Sequence, residues 1–209
     1  MQGFTAQGGK HTSMNSVSPV STSRSSDSLR NHFLLAMPCL SEGIFSQSIT
    51  YICEHGESGA MGIIINQQLG LSVGDIFEHL QIEPSRDFSD LSVMAGGPVQ
   101  MDHGFVLHRN GERTWEASLR VTDAVTLTTS RDILRAIARD DGPPDHLIAL
   151  GYAGWSAGQL EQELADNSWL TLPGDSDIIF STPADQRLTA AAALLGIDMN
   201  LISAQAGHA

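Results

Sequence analysis

The stretch SITYICEHGESGAMGIIIN, residues 48–66, decides the fold. Residues 48–54 alternate apolar and polar in strand fashion, while residues 60–66 are rich in β-branched side chains and end on the polar Asn66. Only residues 55–59 separate them. So short a connection makes the pair antiparallel, because parallel neighbours need a crossover of a dozen residues or more. The segment therefore predicts a hairpin, and with it a sheet that is antiparallel at least in part.

Working outward, residues 33–40 (FLLAMPCL) form a continuous apolar run of buried-strand length, with order expected from near Leu29. On the other side, Ser72 can cap a short helix through Leu80, with Val73, Ile76, Phe77 and Leu80 at helical spacing and Pro84 beyond. A strand over residues 91–95 meets the turn Gly96-Gly97-Pro98, and a further strand follows over residues 104–108. Residues 118–128 read as strand with room for a break at Thr122-Asp123, and Ser130 can cap a helix running to Arg139. Then come a strand over residues 146–150, a glycine-rich bend, and a helix over residues 159–165. Short strands over residues 169–172 and 177–180 and an alanine-rich helix over residues 184–195 complete the pattern. Strands and helices are interspersed. The expected class is α/β of the mixed α+β kind, with a mixed, largely antiparallel sheet and helices packed on it.

The chain has 209 residues and a mass of 22.4 kDa, enough for one well-cored globular unit over residues 28–209. Residues 1–27 are rich in Ser, Thr and Gly and lack aliphatic clusters, so they are expected to be a disordered tail. Eleven Lys+Arg stand against 24 Asp+Glu, and without Lys10, Arg24 and Asp27 of the tail the balance is 9 against 23. This acidic excess argues against a broad nucleic-acid or anionic-membrane surface. Lys10 is the only lysine, so the folded part has no amine for a Schiff base and no phosphate-binding P-loop lysine. Cys39 and Cys53 lie in apolar runs without CxxC spacing and read as two buried thiols in a reducing cytoplasm. The eight histidines show no ligand spacing, so neither a metal nor a cofactor is expected. No apolar run reaches the length of a membrane span, and a soluble, cytoplasmic protein is expected.

Two patterns carry chemistry. Gly154-Trp155-Ser156-Ala157-Gly158 matches GxSxG between a predicted strand and a predicted helix, which would make Ser156 the nucleophile of a small serine hydrolase. Two features oppose that reading. Residues 151–153 separate the strand from the first glycine, and the only later histidine, His208, is the penultimate residue. The alternatives are a structural glycine-rich bend, or a binding surface in which Asn66, Gly96, Gly97, Gly151, Gly154, Trp155 and Gly158 allow close backbone approach. The second pattern is Arg131, Arg135 and Arg139, a basic stripe at spacing four. It reads either as a solvated face balanced by Asp132, Asp140 and Asp141, or as a contact for DNA, RNA or an acidic protein.

FLLAMPCL from Phe33, residues 51–66, GGPV from Gly96, GYAGWSAGQLEQEL over residues 151–164, NSWL from Asn167 and the final GHA together resemble the AlgH/YqgE family of bacterial proteins. The resemblance implies a compact domain whose strongly curved sheet is partly rolled into a barrel and flanked by helices. One branch of that family is named as a candidate transcriptional regulator of alginate production, and the family supplies no established catalytic residues. Many members have glycine where this chain has Ser156, which counts against a shared catalytic serine. The expectation is a non-enzymatic regulatory or interaction protein that meets a protein partner and acts on transcription indirectly. A hydrolase and a nucleic-acid binder are the alternatives.

Overall fold

The computed structural model describes residues 28–40 and 42–197, so residues 1–27 and His208 lie outside it. Ten strands form one curled sheet: β1 His32–Ala36, β2 Ile49–Gly56, β3 Gly59–Ile64, β4 Gln68–Ser72, β5 Ser92–Ala95, β6 Val99–Arg109, β7 Ser118–Arg120, β8 Val125–Thr128, β9 His146–Ser156 and β10 Trp169–Pro173. The helices are α1 Val73–His79, α2 Arg131–Ala138, α3 Gln159–Ala165, α4 Ser176–Phe180 and α5 Arg187–Leu194. Neighbours run in the order β10-β1-β2-β3-β9-β6-β8-β7, while β5 lies beside β9 and carries β4 on its far side. Among the described ladders only β5 with β9 is parallel. The expected hairpin is present as β2 and β3, paired from Thr50 with Ile64 to Gly56 with Gly59. The sheet is a half-barrel, mixed and largely antiparallel as expected.

Strand β9 holds this sheet together. Its first half pairs with β5 and β6, and its second half with β3, so it passes from one side of the half-barrel to the other. The change of direction falls at Gly151, whose φ of 72° is open to glycine and costly for other residues. One residue out of pleat moves the following side chains to the opposite face. Before the bulge Leu147 and Ala149 face the concave core; after it Tyr152 packs against that core, while Ala153 and Trp155 join the cluster under α3. The glycine-rich segment after Leu150 is therefore not the bend expected there, because its residues up to Ser156 remain paired as strand. The turn comes later, at Ala157 and Gly158.

The end of β5 meets this bulge backbone to backbone. The Gly96 N–H donates to the Leu150 carbonyl at 2.8 Å, and the Ile64 N–H donates to the Gly96 carbonyl at 2.8 Å. A Cβ on Gly96 would fall 2.2 Å from the Gly151 oxygen, and one on Gly97 would fall 2.1 Å from the Tyr152 carbonyl carbon. No side chain fits between these strands.

The sheet carries three clusters. The concave face packs Phe33, Ile49, Tyr51, Ile63 and Leu107 under Ile178, Ile179, Ala191 and Ala192 from α4 and α5. On the convex side α1 and α2 cover Val93, Val106 and Ile148, and α3 covers Leu34, Ile52 and Ala153. Among the described residues no helix is long and apolar enough to cross a membrane.

Several local expectations need correction. Residues 177–180 form helix α4 and not a strand, because the Asp175 carboxylate accepts from the Asp177 N–H at 2.7 Å and so starts a helical turn that overrides the β-branched pair Ile178-Ile179. Strand β1 stops at Ala36, since Pro38 lacks an N–H for the ladder and the chain turns there. That leaves Cys39 exposed, while Cys53 is buried as expected, with burial pushing its thiol up. Strand β4 was not anticipated: its residues are mostly exposed and only two of them are in register with β5.

The glycine contact yields a direct test. Gly97→Ala should destabilise the protein by about 3 kcal/mol or more, because backbone has to move to admit the methyl group. Gly104→Ala, where a Cβ meets nothing within 4 Å, should stay within about 1 kcal/mol of the parent. Chemical denaturation of both variants measures the difference.

Candidate functional site

Helices α4 and α5 cover one half of the concave face and leave the other half open. The open half is a groove of about 640 Å³, with Met61, Phe105, Leu119, Leu127 and Tyr152 among its lining residues. Phe105 and Tyr152 pack edge to face in this lining, with ring centroids 5.6 Å apart. Glu54 reaches the same groove because the register of β2 against β3 shifts between Ile52 and Glu54, which sends Glu54 to the concave face and His55 to the convex one. Gly154 and Ser156 line the groove beyond the Gly151 bulge. The result is a mainly apolar trough with a carboxylate at its edge.

The candidate residues divide between this groove and the scaffold. Gly154 lies in the groove and is exposed. Gly96, Gly97 and Gly151 are buried in the strand crossing and present no free surface. Asn66 is a structural clasp: its Oδ1 accepts from the Ile49 N–H at 2.9 Å and its Nδ2 donates to the Gln47 carbonyl at 2.8 Å. Gly158 takes φ 75° at the start of α3, where it supplies the left-handed turn into that helix.

Trp155 borders the groove, but its indole is committed elsewhere. Its Nε1–H donates to Glu163 Oε2 at 2.8 Å, and Trp169 Nε1–H donates to the same oxygen at 2.7 Å. Glu161, two residues earlier and on another side of the helix, accepts from His55 Nε2 at 2.9 Å, while His55 Nδ1 accepts the Leu29 N–H at 3.0 Å. Nδ1 as acceptor makes Nε2 the protonated nitrogen. The two glutamates thus bolt α3 to the sheet. Their indole and imidazole partners come from β2, β9 and β10 and have no local signal in the sequence.

Ser156 does not sit on an elbow. It ends β9 opposite Gly59, its N–H donates to Gln159 Oε1 at 3.0 Å, and its backbone φ is not positive. A nucleophile elbow needs its serine on a strained strand-to-helix turn. Among the described residues no hydrogen bond joins the Ser156 hydroxyl to a histidine.

A second, smaller pocket of about 210 Å³ opens among His108, Asn110, Arg113, Ser118 and Arg120. His108 is buried, with Nδ1 2.9 Å from the Arg109 carbonyl and Nε2 3.0 Å from Thr128 Oγ1. Its strand partner is His146, whose Nδ1 lies 2.8 Å from the Pro143 carbonyl. Desolvation by burial lowers the pKa of both rings, and His146 lowers that of His108 further. Both are therefore neutral near pH 7. The described residues contain no group of three or more His, Cys, Asp or Glu arranged to hold a metal ion.

Comparison with known proteins places this geometry. An AlgH-like family model matches residues 33–200. A UPF0301 protein of Saccharophagus degradans is 56% identical over 182 residues, covering 87% of this chain and 89% of that one. A UPF0301 protein of Thioalkalivibrio sulfidiphilus is 56% identical over 184 residues, covering 88% and 98%. Among solved structures, the AlgH protein of Pseudomonas aeruginosa superposes with a TM-score of 0.74 at 47% identity, covering 88% of this chain and 98% of that one. A Corynebacterium diphtheriae protein shares the fold, with a TM-score of 0.66 at 16% identity over 83% of this chain and 90% of its own.

Two outcomes follow from the side chains described. Folded-state pKa values of His108 and His146 below the ordinary 6.5 mean that the unfolded chain takes up protons the folded chain refuses. Thermal stability should fall as pH drops below 6.5, and the double variant His108→Asn, His146→Asn should show a flatter dependence of melting temperature between pH 8 and 5. Glu163→Ala should cost about 1–3 kcal/mol, because it removes a charged acceptor from two indole N–H groups, and tryptophan fluorescence during denaturation reads the loss.

Proposed function

The chain belongs to the AlgH-like family, and on that footing we propose that it is a non-catalytic regulatory or interaction protein that holds a protein partner in the open half of its curled sheet. The observation that carries this reading is the mainly apolar trough left uncovered by α4 and α5. A concave apolar surface bordered by polar groups is what a partner's apolar side chains fill. Met101, 58% exposed on the bulge of β6 just after groove residue Gln100, adds a flexible apolar contact at the rim. Glu54 and Ser156 add polar contacts that fix orientation.

The reading includes indirect action on transcription, through the bound protein and not through bases. The acidic excess of the chain supports that, since it repels a nucleic-acid backbone over most of the surface. A cytoplasmic location accords with two free cysteines, one of them exposed. The strand geometry of Ser156 supports a contact role for that serine and not a nucleophilic one.

The test uses a photo-crosslinking amino acid at position 101 of the full chain in living bacteria. One discrete protein adduct is expected; it should vanish when Gly154→Trp fills the groove and persist in Ser156→Ala. Labelling of the pure protein by a fluorophosphonate, abolished by Ser156→Ala, would instead establish the hydrolase and sink this reading.

A further inference from the structure

Helix α2 has two unlike faces. Ile133, Leu134, Ala136, Ile137 and Ala138 are buried against the sheet, while Arg131, Arg135 and its cap Arg139 are exposed along the other side. The sequence suggests that Asp132, Asp140 and Asp141 balance these charges. They do not. Asp132 accepts from Ser130 Oγ at 2.5 Å, the Ile133 N–H at 2.9 Å and the Glu116 N–H at 3.1 Å. Asp140 binds Arg86 at 2.8 Å and Ser85 at 2.7 Å, and Asp141 binds Arg113 at 2.5 Å.

Among the described residues the other arginines are all committed. Arg109 pairs with Asp145 at 2.9 Å and Asp177 at 2.5 Å, and Arg120 pairs with Asp123 at 3.2 Å. Arg30 donates to the carbonyls of Arg120 and Val121, and Arg187 is buried and donates to the carbonyls of Ile65 and Thr182. Among the described residues the arginines without a salt bridge or hydrogen bond are Arg131, Arg135 and Arg139. Residues 28–209 hold 23 acidic residues and 9 basic ones, and the described arginines without partners share one helix face.

Arg135 in the last turn and the cap Arg139 suit the negative end of the helix dipole, but the stripe also carries two costs. Like charges four residues apart repel, and Arg131 stands in the first turn, beside the positive end of the helix dipole. A bound anion would relieve both effects. We infer that the outer face of α2 is a docking site for an acidic, extended segment of a protein partner, with Arg131, Arg135 and Arg139 as its three contacts. Successive arginines rise about 6 Å along the helix, and alternate residues of an extended strand are about 6.6 Å apart, so carboxylates at every second position match the stripe. A duplex is the poorer fit. The stripe is about 12 Å long and the acidic remainder of the surface repels further phosphates. The site is separate from the concave groove, and its test does not depend on what the groove binds.

The probe is a fluorescein-labelled twelve-residue peptide of alternating Glu and Thr, titrated with the full chain and followed by anisotropy at low and at near-physiological salt. Saturable binding that weakens with salt is expected. Replacing all three arginines by Gln should weaken it by about tenfold or more, whereas Arg120→Gln should change it less than about twofold. The triple variant loses the repulsion but also the favourable dipole contacts of Arg135 and Arg139, so it should melt close to the parent temperature; should it fail to fold, Arg135→Gln alone should still weaken binding measurably. Equal affinity of parent and triple variant overturns the inference, as does tighter binding of a twelve-base-pair DNA duplex than of the peptide at the same salt.

Discussion

Backbone packed directly on backbone, where Gly96 and Gly97 meet Gly151 and Tyr152, is the contact from which the architecture follows. It brings β5 and β9 close enough for the parallel pairing of Met94 with Ala149 and Ala95 with Leu150. It also lets β9 turn at Gly151 and continue into its pairing with β3. Without that turn the second half of β9 would stay in the plane of β5 and β6, and the sheet would not close around the concave core. The bulge also inverts the pleat. That inversion puts Gly154 and Ser156 on the groove and Trp155 under α3.

A second set of interactions keeps the half-barrel from opening. Glu163 joins two indoles from separate strands, and Glu161 joins α3 to His55. On the other side, the buried guanidinium of Arg187 ties α5 to the carbonyls of Ile65 and Thr182, with burial lowering its pKa to about 10. It remains charged at neutral pH and is held by carbonyl dipoles. The glutamates fasten α3 to the convex side, and Arg187 fastens α5 over part of the concave face. The half that α4 and α5 leave uncovered is the groove.

Charge is distributed with the same economy. Surface aspartates are turned onto arginines or onto backbone N–H groups, and hydrogen bonds from these partners hold Asp75, Asp87 and Asp140 below the ordinary carboxylate range. Pairing absorbs most of the few cations and leaves a cationic strip on α2. The molecule thus has two surfaces of opposite character, a mainly apolar trough and an arginine strip, on different parts of the fold.

The sequence by itself determined the kinds of elements and most of their places, because these rest on local effects. Alternation in residues 48–54, the capping box at Ser72 and the helical spacing of Ile133, Leu134 and Ile137 each act within a few residues. Where a short-range competitor was stronger than the pattern, as at Asp175 and Pro38, the expectation failed locally. The glycines around Gly151 were visible as unusual, but their role was not, since a glycine at a bend and a glycine at a strand crossing look alike until the opposing backbone is known. Only the tertiary structure decided which face of β9 meets the groove, that Glu163 holds two tryptophans, and which arginines find an acid. Each of these depends on atoms brought together from distant parts of the chain, and short-range propensity carries no information about that meeting.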